Sequence, residues 1–199
     1  MQGSDPEAQV RAELEQIMPL ISTLTGLPTR WSGVVEIVET LEFKGKKRFS
    51  CDIQIQASLV RQNVRWSTLI HESLHAHSAG YNGSDYRLYR GWEEGVVEQL
   101  QRLLRPEILS RLLVVVAEAD LLEADRQHPF NDRVQALEAI RRCLAVPQTA
   151  FYKQLLATPI AQRPVETLRQ IQQLPVLEQR SAFYVYSASN SVLKKFPVF

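Results

Sequence analysis

The chain has 199 residues, of which 45% are hydrophobic and 23% charged, and its net charge is +1. It is long enough and apolar enough to bury a core as a single domain, and a near-neutral balance gives no long-range field for nucleic acid or for an anionic membrane. Cys51 and Cys143 are too few for a disulfide framework, Met1 to Val10 lack the basic start and apolar core of a signal peptide, and no run of about eighteen apolar residues suggests a membrane span. A cytoplasmic protein is therefore expected.

In chain order, Val10, Leu14, Ile17, Met18 and Ile21 recur at three and four and predict an amphipathic helix over residues 6–24, with Asp5 as cap and Pro6 at the first helical position. Gly26 and Pro28 end it. The period then changes. Residues 34–43 alternate loosely as a strand, Lys44-Gly45-Lys46-Lys47 is expected to be a turn, and Phe49 to Gln56 alternates more strictly as the returning strand of a hairpin. The basic turn is better explained as a solvated hairpin tip than as a phosphate site, because no glycine-rich loop leads from it into a helix. The strand from Phe49 to Gln56 has two readings: a sheet edge that pairs with an extended substrate backbone, or an internal strand.

The stretch His71-Glu72-Ser73-Leu74-His75 carries the chemistry. On a helix, a spacing of four residues puts two imidazoles on one face, where both can hold one metal ion. Glu72 is placed to take a proton from a zinc-bound water whose pKa the metal has lowered toward neutrality. With four histidines in the chain, such a pattern arises by chance in roughly half a per cent of comparable sequences, so chance is a weak rival. His77 points to another side of the helix and is not expected to share the metal.

Catalytic zinc keeps three protein ligands and one open position, so a third ligand is needed. A metzincin would need a glycine and a third histidine where Ser78 and Tyr81 stand, and a downstream methionine, whereas Met1 and Met18 both lie upstream. A glutamate on a second helix is the other common solution. Gly80-Tyr81-Asn82-Gly83-Ser84-Asp85-Tyr86 is expected to be part of a loop running to Arg90, and Gly91-Trp92-Glu93-Glu94-Gly95 then opens a long helix. Periodicity alone does not separate Glu93 from Glu94.

Eighteen residues lie between His75 and Glu94. Over about residues 50–105 this HExxH, eighteen residues, Glu arrangement resembles the gluzincin family of zinc peptidases, in particular its aminopeptidase-like branch, with Trp92 one position away from its place in the family's Trp-x-x-Glu-Gly context. The resemblance implies Zn²⁺ as the cofactor and Glu94 as the third metal ligand, beside His71 and His75. Gly95 suits that choice, since a glycine lets another helix backbone approach closely. The family also suggests that Glu98 holds a ligand histidine through its second ring nitrogen; the plainer reading is a solvated helix carboxylate.

Beyond Arg90 the chain is expected to be helical, with breaks at Pro106, His128-Pro129, Pro147, Pro159, Pro164 and Pro175. Ile108, Leu112, Val115, Val116 and Leu122 predict one buried helix, Val134, Leu137, Ile140 and Leu144 a second, and Leu168, Ile171 and Leu174 a third. The segment from Ser181 to Leu193 resembles the Tyr-x-x-Ser helix found late in some gluzincin-like domains. That resemblance makes Tyr184 the first choice for stabilising the oxyanion, an effect worth roughly 3 kcal/mol per donor, with Tyr186 and His128 next. An aromatic core face would explain any of the three as well.

The expected fold is α+β and predominantly helical: a zincin-like catalytic lobe over residues 27–105, with a small sheet or hairpin and an active-site helix, followed by a helical lobe over 106–199. The expected function is zinc-dependent peptide hydrolysis with Glu72 as general base. It is expected to be an endopeptidase of narrow specificity, because the Gly-x-Met-x-Asn-type segment by which aminopeptidases bind a free amine is absent. Its substrate is a protein or peptide. The alternative is a regulatory or protein-binding module that keeps the zincin fold without general proteolysis and takes a regulatory protein partner.

Overall fold

The computed structural model describes residues 5–39, 45–48 and 50–194. It is mostly helical with one small mixed sheet, an α+β architecture, and no described helix is long and apolar enough to cross a membrane. The described residues divide into two compact units: one drawn from Met1–His77 and Gln101–Arg126, the other from Ser78–Leu100 and Gln127–Phe199.

The first unit begins with α1 (Pro6–Thr25). The Asp5 carboxylate accepts from the Glu7 N–H at 3.1 Å, Pro6 opens the helix, and Gly26 closes it at φ 75°. Val10, Leu14, Ile17, Met18 and Ile21 are all buried on one face, which packs on α2 (Arg65–His77) and on β1 (Val35–Val38).

The sheet corrects the expected hairpin. Gly45–Lys47, expected as the turn, is strand β2, and the later strand β3 (Ile53–Gln56) lies between β1 and β2. β1 runs parallel to β3 with Val35 opposite Ile53, and β2 runs antiparallel with Lys47 opposite Ile53. Local polar chemistry places the reversal later, at Arg48 to Asp52. Cys51 takes φ 69°, its N–H donates to the Arg48 carbonyl, and the Asp52 carboxylate accepts from Ser50 at 2.6 Å and Ser32 at 2.7 Å. Residues 40–43, the far part of the first predicted strand, lie outside the described residues, as do Lys44 of the predicted turn and Phe49. Among the described residues β3 is internal, the second of the two readings of this strand, and the sheet's edges are β1 and β2.

α3 (Gly83–Arg111) starts eight residues earlier than the loop expectation allowed. The Asn82 side chain is the reason: its Oδ1 accepts from the backbone N–H groups of Ser84 and Asp85 at 3.1 and 2.9 Å, a cap formed from within the polar run. The helix continues through Pro106, where a break was expected. Pro106 is on the exposed face while Leu104, Ile108 and Leu109 stay buried, so packing on the other face carries the helix past the lost hydrogen bond. The single buried helix expected from Ile108 to Leu122 is also corrected. α3 ends at Arg111, Leu113 takes φ 56°, Val115 is 96% exposed, and α4 (Glu118–Arg126) buries Leu121 rather than Leu122. The run Val114-Val115-Val116 is stiff at χ1 and favours extended backbone.

In the second unit, α5 (Asn131–Leu144) buries Val134, Leu137, Ile140 and Leu144 as expected, and packs along α8 (Val176–Leu193). α6 (Gln148–Ala157) buries Phe151, Tyr152, Leu155 and Leu156. α7 (Arg163–Gln172) buries Ile171 and also packs on α8.

Candidate metal centre

Ten residues of α2 are buried, among them His71, Glu72 and His75, at 7%, 5% and 3% exposure. The two Nε2 atoms lie 3.2 Å apart with the rings edge to face. Two nitrogens bound tetrahedrally to one zinc at the usual bond length are about 3.3 Å apart, so the pair already has the separation a shared ion requires. His77 is occupied elsewhere: Ser22 Oγ lies 2.9 Å from Nε2 and the Ser73 carbonyl 2.7 Å from Nδ1. Burial pushes its pKa down, so it stays a neutral, hydrogen-bonded core histidine.

Glu72 is held by β2. The Lys47 backbone N–H donates to its Oε2 at 2.6 Å, which fixes the carboxylate beside its neighbouring histidine. Gly45 permits that approach: a Cβ there would stand 2.5 Å from Thr68 Cγ2 and 3.3 Å from Glu72 Cγ. Neither contact was anticipated from the sequence, although the glycine in Lys44-Gly45-Lys46-Lys47 was the signal, read there as a turn residue. Gly45→Ala is expected to push β2 off α2 and cost about 1–3 kcal/mol by overpacking, while Gly45→Ala with Thr68→Ser, which deletes the opposing methyl, should recover most of the loss in a denaturation midpoint.

On α3, Glu93 and Glu94 have separate fates. Glu93 is fully buried and pairs with Arg163 Nη1 at 2.6 Å; Ser78 Oγ donates to the same carboxylate oxygen at 2.8 Å, and Arg163 Nη2 donates to that hydroxyl at 2.7 Å. Burial lowers the Arg163 pKa, and the Glu93 charge and hydrogen bond oppose that shift. Glu94, 4% exposed, accepts from the Tyr86 hydroxyl, and Arg90 Nε lies 3.7 Å from the same oxygen. Burial first, and then the Glu94 charge, push the Tyr86 phenol well above its ordinary pKa, so it remains a donor. Gly95 has the close helix neighbour expected of it: a Cβ would meet Leu137 Cδ1 at 2.8 Å and Arg133 Cβ at 3.1 Å, both on α5.

Glu98, 1% exposed, is not a solvated carboxylate; its Oε2 lies 3.3 Å from His128 Nε2. Tyr184 is 79% exposed. α8 turns Ala182, Tyr186, Ser189 and Leu193 inward, and position 184 falls on the opposite face, so the expected oxyanion donor faces solvent. Tyr186 is buried and donates to the Pro164 carbonyl at 3.2 Å, with its pKa pushed up to about 12 by burial.

One ligand atom from each of His71, His75 and Glu94 lies within 4.8 Å of the other two, and all three residues are buried. Two imidazole nitrogens and one carboxylate oxygen form a donor set suited to catalytic zinc. Comparison with protein families, with curated proteins and with solved structures found no match for this chain.

Proposed function

We propose that the protein is a zinc-dependent endopeptidase of narrow specificity. The observation that carries this reading is the buried convergence of His71, His75 and Glu94 with Glu72 next in sequence to a ligand and its carboxylate held in place by the β2 backbone. Buried ionisable side chains gathered around a shared point support a functional site.

His71, His75 and Glu94 would hold the ion, which when bound supplies Lewis acidity and a water acidic enough to lose a proton near neutral pH. Glu72 would take a proton from the attacking water and return it to the leaving amine nitrogen. The Lys47 N–H keeps the carboxylate from rotating away between the two transfers. Among the described residues β2 is an edge of the sheet, so an extended substrate chain would add alongside it through main-chain hydrogen bonds.

The deciding experiment measures zinc stoichiometry and cleavage of an unfolded protein mixture on the same preparation, before and after chelation. One zinc per chain, with cleavage lost on chelation and restored by zinc, supports the peptidase. One zinc without cleavage would favour a regulatory or protein-binding module on the same fold, and no zinc in metal-replete protein would remove the centre altogether.

A further inference from the structure

Both contacts described for the Glu94 carboxylate fall on one oxygen. The Tyr86 hydroxyl donates to Oε1, and Arg90 Nε lies 3.7 Å from that same atom. A straight α-helix would not permit the first contact. Positions 86 and 94 are two turns apart, about 12 Å along the axis, and a side chain at position 86 would lean toward the N-terminus, away from Glu94. α3 is broken between them. Tyr89 sits at φ −123° and ψ 26°, outside helical values, and the turn carrying Tyr86 is set at a different angle from the turn carrying Glu94.

The displaced turn is held in place. Asn82 caps it through Ser84 and Asp85, and its Nδ2 donates to the Asp85 carboxylate at 2.8 Å. The Tyr86 ring stands 5.3 Å from the Tyr81 ring and has the Arg90 guanidinium 5.8 Å from its centroid, two neighbours that limit its rotation. A break in a helix interior loses backbone hydrogen bonds, and here it yields a phenol aimed at one oxygen of one carboxylate.

From this geometry we propose that Tyr86 is a positioning residue for Glu94: its O–H holds Oε1 and so limits how the carboxylate can turn when it binds the metal. Arg90 draws on the same oxygen by charge. The proposal rests on the reading of Glu94 as a metal ligand. A carboxylate without such a partner can turn and offer both oxygens, which raises the coordination number and removes the open position that a hydrolytic site needs.

The test loads cobalt(II) in place of zinc into the unmodified protein, Tyr86→Phe and Tyr81→Phe, and measures visible absorption and the dissociation constant by chelator competition. The unmodified protein should give the intense bands of four-coordinate cobalt. Tyr86→Phe, which keeps the ring and removes only the hydroxyl, should bind about tenfold to a hundredfold more weakly, with weaker bands of higher coordination. Tyr81→Phe should match the unmodified protein in both. The same spectrum and affinity for Tyr86→Phe, or an equal loss for Tyr81→Phe, would overturn the role of Tyr86 while leaving the metal centre standing. Failure of the unmodified protein to take up cobalt would overturn the centre, and the positioning role with it.

Discussion

Glu72→Gln is expected to leave zinc content unchanged and to lower cleavage of unfolded protein by about 10²–10⁴-fold, the contribution of a general base and acid. The substitution separates two roles for this side chain. Glutamine keeps the length of the side chain and a carbonyl oxygen, so the hydrogen bond from the Lys47 N–H survives and β2 stays against α2. What glutamine cannot do is take a proton from water and return it to an amine. Metal analysis and the initial cleavage rate, measured on one preparation, decide the matter. An undiminished rate would leave Glu72 as a clasp for β2 and require a different base.

Arg163→Met is expected to cost about 3–5 kcal/mol of stability, because it takes the guanidinium away from a fully buried Glu93 charge. For a chain of this size the thermal midpoint should fall by on the order of 10 °C. Arg163→Met combined with Glu93→Gln removes both charges, and should be milder than the two single effects added together, a non-additivity that a double-mutant cycle reads directly. A single substitution within a few tenths of a kcal/mol of the parent would show that the pair is not what fixes this part of α3. The consequence for the site is geometric. Consecutive residues on a helix point about 100° apart, so anchoring Glu93 on Arg163 sets the direction in which Glu94 points. Weaker zinc binding should therefore accompany the loss of stability, measurable by chelator competition below the melting range.

The two smaller substitutions probe different supports of the same centre. Gly45→Ala acts on the strand that holds Glu72, and Tyr86→Phe on the phenol that holds Glu94. Only the second is expected to change the coordination of a bound ion while leaving the fold unchanged.

What the sequence alone determined about this protein is what short-range geometry determines. Four residues from His71 to His75 place two imidazoles on one helix face whatever surrounds them, and Asp5, Pro6 and Gly26 bound α1 by rules internal to a few residues. The buried faces of α1 and α5 follow from spacing as well, since a helix that buries one stripe must repeat it every three or four residues.

The rest was decided by packing over longer distances. Nothing local distinguishes Glu93 from Glu94; a guanidinium seventy residues later takes the first. Gly45 looked like a turn glycine, and the close approach of Thr68 and Glu72 makes it a strand residue instead. Tyr184 had the better motif context, but α8 turned it outward to bury Tyr186, while Tyr86, in a run that resembled a loop, was brought to Glu94 by a break at Tyr89. Sequence periodicity specifies which side chains share a face. Which other element that face meets, and therefore which carboxylate or phenol reaches the site, depends on volumes and charges far apart in the chain that only the folded structure brings together.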